Sequence, residues 1–116
     1  MLRKIFILLV FLVVQIALGL PTFAADFVCE PTEVAVYKSR IHVKCSTSAT
    51  DGQATIWFWA VSTADTDHAN HFLSTATTAL IAGRNLKISY TPGDTSGQSF
   101  GCQANDCRVP WAITIY

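Results

Sequence analysis

Alternating hydrophobic and polar positions run through much of the chain beyond residue 30 and predict a protein built mainly from β-strands. In RIHVKCS (40–46) every second residue is apolar, as in an antiparallel strand with one buried face. NLKISY (85–90) alternates in the same way and places Lys87 on the outward face. Two further segments are predicted as strands: EVAVY (33–37) and VPWAITIY (109–116).

The segment ATIWFWAV (54–61) is apolar on both faces. A strand of this kind lies in the centre of a sheet, or its outer face meets a partner. The polar segment before it, SATDGQ (48–53), is predicted as a turn because it contains Asp51-Gly52. We expect the aromatic residues to serve as core or subunit interface rather than as a sugar-stacking platform: Trp57, Phe58, Trp59 and Trp111.

One helix is predicted between residues 62 and 83, where the apolar residues follow helical spacing. Asp65, Thr66 or Asp67 can cap its start, and Gly83 can cap its end. The apolar stripe contains Ala69, Phe72, Leu73, Ala76, Ala79 and Leu80. The opposite face is small or mildly polar and carries no formal charge: His71, Ser74, Thr75, Thr78 and Ala82. A face of this composition favours close approach to another chain over full solvation.

The resulting order is β-β-β-α-β-β. One helix inside an antiparallel set of strands favours an α+β, mainly β fold, and we expect a small OB-like antiparallel barrel. The chain length fits a single domain, which we place at residues 25–116.

The first 24 residues predict export. Two basic residues, Arg3 and Lys4, precede an apolar run at 5–20, and small residues lead up to a cleavage site after Ala24 or Ala25. A membrane anchor is the less favoured alternative, because the run is near the lower length limit for a span and ends in a cleavage-like site. The mature chain is therefore expected to be secreted or periplasmic, with no membrane span.

Charge excludes some partners of this mature chain. The full chain has a formal net charge of zero, and removing Arg3 and Lys4 with the signal peptide leaves a formal charge of −2. No basic field suggests binding to nucleic acid or to an anionic membrane surface.

The cysteines of the exported part predict disulfides, since an even number in a small exported chain usually forms them. Four cysteines allow three pairings, and we favour Cys29–Cys45 with Cys102–Cys107. A zinc site and a redox dithiol are the alternatives for the close pair at 102 and 107. Zinc would normally bring a second close pair, and a redox site would favour Cys-x-x-Cys before a helix.

Catalytic patterns are not found. No elbow motif frames a serine, no phosphate-binding glycine loop is present, and the carboxylates are scattered through loops. His68 and His71 are three residues apart on the helix, but no carboxylate follows one turn on, so surface or interface histidines are favoured over a metal pair. The sequence predicts a binding or structural module, with no metal or cofactor, rather than an enzyme.

Four segments together resemble the B subunits of bacterial toxins built from one A and five B chains, in the branch of subtilase cytotoxin and typhoid toxin. They cover most of the mature chain: VKC (43–45), WAVS (59–62), HFLSTATTALIAGRNLKISY (71–90) and GCQANDC (101–107). The resemblance implies an OB-like fold, a ring of five chains whose helices line a central pore, and a catalytic A subunit as partner. It also implies binding of sialylated cell-surface glycans by the outer surface.

The resemblance further implies site residues. A basic residue on the strand after the helix helps to hold the glycan in the typhoid toxin branch, and Lys87 matches it through Gly83. An ammonium there could pair with a sialic acid carboxylate. The polar turn after VKC also contributes to that pocket, which brings in Thr50 and Gln53, although the turn is shorter here. The family's serine near the mature N-terminus has no clear counterpart.

Three functions remain as hypotheses at this point. The first is an exported lectin-like B subunit that binds glycans. The second is a secreted or periplasmic structural or interaction module of the same fold without a sugar site. A small hydrolase is the third and the least favoured.

Overall fold

Two β-sheets and one α-helix make up the described part of the chain, residues 24–116, in the computed structural model. The strands are β1 Ala25–Cys29, β2 Pro31–Val36, β3 Arg40–Asp51, β4 Ala54–Ser62, β5 Leu86–Tyr90, β6 Cys107–Arg108 and β7 Pro110–Ile115. Helix α1, Thr66–Ala82, lies between β4 and β5, and a 3-10 helix, Ser96–Phe100, lies between β5 and β6. The predicted signal peptide falls outside the described residues, except for residue 24.

The four-stranded sheet has the order β2-β3-β4-β6, and the three-stranded sheet has the order β1-β5-β7. All pairs are antiparallel except β4 with the short β6. The expected α+β composition with a single helix is confirmed for the described residues. The expected strand order is incomplete, because it lacks β1 and β6, and the two sheets do not join into a closed barrel.

Helix α1 begins and ends where the sequence predicts. Among the three predicted cap residues, Asp65 takes the role, and its Oδ1 accepts a hydrogen bond from the backbone N–H of His68. Gly83 ends the helix in the left-handed conformation, with φ 64°, which favours glycine. The predicted apolar stripe faces the core, since Ala69, Phe72, Ala76 and Ala79 are buried.

The core lies between the sheets and the helix and is centred on Trp59. The Trp59 ring is fully buried and packs against Phe27 and Tyr90, with centroid distances of 5.7 and 4.8 Å. Its Nε1 is the one buried side-chain polar atom without a hydrogen-bond partner in residues 24–116.

The apolar strand β4 is central in its sheet, which decides between the two alternatives for residues 54–61. Its second apolar face is covered within the chain, because Ala60 and Phe58 pack with Cys102, Cys107, Phe100 and Val109. The apolar pattern of β4 is therefore explained in large part by packing within the chain, and it is weaker evidence for a subunit interface.

The hairpin between β3 and β4 is longer than predicted. Strand β3 continues to Asp51, so only Gly52 and Gln53 form the turn, and the interpretation of the whole segment 48–53 as a turn is wrong. The pairing register shifts between Lys44 and Ala49, and this irregularity lets the paired strands continue through a polar sequence.

Both favoured disulfides are present, Cys29–Cys45 and Cys102–Cys107. Cys29 lies in β1 and Cys45 in β3, so the first disulfide links the two sheets covalently. The second joins two cysteines that are five positions apart and closes the loop that leads into β6. Within residues 24–116 no helix combines the length and apolar character that crossing a bilayer would need.

Candidate functional site

A cleft of about 270 Å³ opens on the outer face of β3 and β4. Its floor comes from these strands, from β2 and from the turn before β3, and its wall comes from the disulfide loop that leads into β6. Aromatic, charged and amide groups line it, among them Glu33, Tyr37, Arg40, His42, Phe58, Gln103 and Asp106. We call this site the His42 cleft.

His42 lies in the floor of the cleft and is only 6% exposed, although strand alternation places it outside the core. The Tyr37 and Phe58 rings lie against its imidazole, with centroid distances of 5.3 and 4.9 Å. Its Nε2 lies 3.0 Å from Oε1 of Glu33. The contacts satisfy a buried polar ring and hold it in one orientation.

Arg40 is held in place without a polar partner. Its guanidinium carbon lies 4.1 Å from the centre of the Tyr37 ring, within the range of a cation–π contact. A side chain at position 101 would place its Cβ 2.5 Å from Nη1 of Arg40, so Gly101, with φ 94°, leaves the room that this arginine occupies. Within residues 24–116 the guanidinium makes no hydrogen bond or ion pair, so its N–H donors remain available.

The disulfide loop forms a rigid wall because its backbone is bonded to itself and to β4. The Gln103 carbonyl accepts hydrogen bonds from the N–H groups of Asp106 and Cys107. The Asp106 carbonyl accepts from Trp57 and Phe58, at 2.9 and 3.1 Å. The side chains of Gln103 and Asp106 line the cleft and make no hydrogen bond within the described residues.

A buried ion pair ties this loop to the β3–β4 hairpin. Nε of Arg108 donates to Oδ2 of Asp51 at 2.6 Å, and the two side chains are 5% and 8% exposed. Arg108 Nη1 also donates to the carbonyls of Ala104 and Cys107. Burial raises the pKa of Asp51, but hydrogen bonds from Gly93 and Arg108 and the Arg108 charge outweigh burial and lower that pKa overall. The pair is structural, because the two buried charges neutralise each other inside the protein.

The residues predicted from the resemblance lie in two separate regions. Thr50 lies near the tip of the β3–β4 hairpin, and Gln53 lies in the turn of that hairpin. Lys87 is the second residue of β5, half-buried, between Val28 of β1 and Thr114 of β7. The hairpin contacts the loop after β5 through Gly93, whereas Lys87 lies near the other end of β5. Tyr90 is at the end of β5 that lies next to the Gly93 loop, and about 10 Å of extended strand separates Lys87 from it.

The remaining predicted chemistry lies elsewhere. His68 and His71 are exposed and border a smaller cleft of about 180 Å³ between α1 and β7. Across residues 24–116 no three His, Cys, Asp or Glu residues come together as a metal-binding group. Among the tryptophans, Trp59 is core as expected, whereas Trp111 is 59% exposed and Trp57 is 36% exposed.

Sequence reasoning missed most of the His42 cleft. The outward polar face of residues 40–46 was visible in the alternation, and it does supply Arg40 and His42. Tyr37 comes from the turn directly before β3, whereas Gln103 and Asp106 come from the distant disulfide loop. Only the tertiary pairing of that loop with β4 brings these groups together, and no local pattern signals it.

Comparison with family models, with curated proteins and with solved structures found no match to this chain. The toxin-subunit resemblance therefore rests on the four segments quoted above, and any function must be proposed from the geometry of the site.

Proposed function

We propose that the protein is an exported, lectin-like B subunit that binds sialylated cell-surface glycans as part of a bacterial toxin-like assembly. The proposal includes a homo-oligomer, a pentamer by resemblance, with a catalytic A subunit as partner and no catalytic activity of its own. It also includes an OB-like architecture in an open form, since the sheets of the described residues do not close into a barrel.

The His42 cleft is the observation that carries the glycan-binding part of this proposal. Protein sites for sugars combine ring faces, which contact the apolar faces of the sugar, with fixed donors and acceptors for its hydroxyl groups. The cleft has the rings of Tyr37 and Phe58, the free donors of Arg40, and the unbonded side chains of Gln103 and Asp106.

Export and assembly have independent support. Two disulfides are typical of proteins from oxidising compartments, in keeping with a secreted or periplasmic location. The uncharged helix face is exposed in the single chain, and Ile81 at its end is 81% exposed. An apolar side chain of this exposure on an uncharged face supports contact with a second copy.

Lys87, Thr50 and Gln53 stay in the proposal as glycan contacts, with Lys87 as the contact to the sialic acid carboxylate. Lys87 shares the outer face of the three-stranded sheet with Val28 and Thr114, as the alternation predicts. Its ammonium makes no ion pair within the described residues, so it could bind a carboxylate.

A second candidate function, the structural or interaction module without a sugar site, has one observation in its favour. The ring faces of the His42 cleft already contact the chain's own cations. Arg40 lies over Tyr37, and the Lys44 ammonium lies 5.8 Å from the centre of Phe58. In this reading the cleft is a set of internal contacts that stabilises the sheet surface.

Calorimetric titration with a soluble monovalent sialoside separates the two candidates. Wild type, Lys87→Ala and a matched control, Lys38→Ala, are compared at equal oligomeric state, so that avidity does not hide a loss. A charge-assisted bond contributes about 1.5–3 kcal/mol, so Lys87→Ala should weaken binding at least tenfold. Equal affinities would make Lys87 an ordinary surface lysine, and absence of binding by wild type would favour the structural module.

A further inference from the structure

We infer that the His42 cleft binds an uncharged sugar unit, at a site distinct from Lys87, and that Asp106 and Gln103 determine which sugar it accepts. The inference rests on the proposed glycan-binding function, but it assigns a different class of ligand and different residues. It makes the cleft a subsite for a neutral hexose or N-acetylhexosamine within a larger glycan.

The charges in the cleft decide the ligand class. Arg40 is the one formal cation among the lining residues, whereas Glu33 and Asp106 are both carboxylates. A sugar carboxylate bound here would be repelled by two carboxylates and attracted by one guanidinium. The hydroxyl groups of a neutral sugar can donate to Asp106 and accept from Arg40, so a mixed set of donors and acceptors favours a neutral ligand.

The wall of the cleft is preorganised for this recognition. The disulfide and the backbone hydrogen bonds within the loop and to β4 fix the loop, while the side chains of Asp106 and Gln103 make no hydrogen bond within residues 24–116. Because the backbone of the loop is fixed before binding, only the side-chain rotamers of Asp106 and Gln103 lose conformational entropy on contact with the ligand. The Asp106 carboxylate and the Gln103 amide can hydrogen-bond to adjacent hydroxyl groups of a sugar, and sugars whose hydroxyl groups are placed differently would form fewer of these bonds.

The dimensions favour a single sugar unit. The cleft volume of about 270 Å³ is slightly below the roughly 300–1,000 Å³ of sites for drug-sized ligands. The Tyr37 ring, 46% exposed at the rim, offers an apolar surface beside the polar groups. The rest of a glycan would extend out of the open cleft.

NMR titration of the disulfide-bonded mature chain tests this inference. Amide shifts are followed during addition of methyl galactoside, methyl glucoside and N-acetylglucosamine, and separately of sialyllactose. Wild type is compared with Asp106→Asn, with Gln103→Ala and with Asp67→Asn, an exposed carboxylate of the helix that lies outside the cleft. We expect saturable shifts at residues 103–107 and at Tyr37 and His42 with at least one neutral sugar. Asp106→Asn should weaken that binding about tenfold, because a bond to a charged acceptor is lost, and Asp67→Asn should not change it.

The outcomes separate this inference from the proposed function. If neutral sugars cause no shift in the cleft, while sialyllactose binds and Lys87→Ala abolishes its binding, the inference fails and the glycan-binding function stands. If neutral sugars bind with equal affinity in wild type and Asp106→Asn, the assigned role of Asp106 fails. If neither class of sugar binds, both proposals fail.

Discussion

Replacing Asp51 with alanine should destabilise the fold strongly, although Asp51 lies at a hairpin tip. The substitution leaves the Arg108 guanidinium, 5% exposed, with two carbonyl acceptors at 2.6 and 2.7 Å and no counter-charge. It also removes the acceptor of the Gly93 N–H, which donates to Asp51 at 2.8 Å. The hairpin, the loop after β5 and the disulfide loop would lose the group that joins them.

The expected cost follows from the burial of the pair. Removing one partner of a buried ion pair costs about 3–5 kcal/mol, because the other charge stays buried and uncompensated. The two remaining carbonyl bonds of Arg108 place the expected cost near the lower end, about 3 kcal/mol. Asp51→Asn keeps an acceptor oxygen but also leaves the Arg108 charge without a counter-charge, so an intermediate loss of about 2 kcal/mol is expected.

Chemical denaturation of the mature chain, followed by tryptophan fluorescence, measures these differences. Asp67→Ala is the matched control, and its exposed carboxylate in the first helical turn should contribute at most about 1 kcal/mol. Adding Arg108→Met to Asp51→Ala should recover much of the loss, because it removes the uncompensated charge. A cost for Asp51→Ala no larger than that of Asp67→Ala would refute the reasoning.

The same pair predicts a dependence of stability on pH. The pKa of Asp51 is lowered in the folded state, so its carboxylate binds fewer protons there than in the unfolded chain. Its contribution is fully present above its ordinary pKa of about 3.9 and is lost as the pH falls through the lower folded value. In Asp51→Asn this part of the acid destabilisation should be absent. Equal acid sensitivity of both proteins would contradict the assignment.

Three further variants test other parts of the structure. The double variant Cys29→Ala with Cys45→Ala should lose about 3 kcal/mol of stability in chemical denaturation, because it removes the covalent link that constrains the unfolded chain. A loss below about 1 kcal/mol would contradict this prediction. Gly97→Ala should lower the melting temperature, since its Cβ would lie 2.6 Å from Cβ of Cys102, and overpacking of this kind costs about 1–3 kcal/mol. Thr78→Arg should yield smaller species in sedimentation velocity with the fold retained, because a charge would enter the helix face proposed as an interface. Thr95→Arg, in an exposed loop, is its control, and equal masses for both variants would argue against assembly through the helix.

The sequence predicted the elements whose signals are local. Helix α1 has both a periodic apolar stripe and cap residues at its two ends, Asp65 and Gly83, and its limits agree with the structure. Strand β3 was recognised by its alternation, but its second half was not. The polar residues 48–51 belong to the segment predicted as a turn, and only pairing with β4 makes them a strand.

Features that depend on distant pairing were not predictable in this way. Strand β6 has two residues and exists because the disulfide loop docks against Phe58 and Trp59. Residues 54–61 are apolar on both faces, but a pattern cannot tell whether the second face is covered by another chain or by a loop of the same chain. The His42 cleft shares this limit, since its wall and its floor are about 60 residues apart in sequence.

Glycan-array binding of the purified, disulfide-bonded mature chain tests the central claim most directly. The account predicts saturable binding to a defined set of glycans, with sialic acid bound through Lys87 and neutral sugar units bound in the His42 cleft. It also predicts that Lys87→Ala and Asp106→Asn each reduce the signal, while Lys38→Ala and Asp67→Asn do not. Absence of binding to every glycan by a folded wild-type protein would contradict it and leave the structural module as the better account.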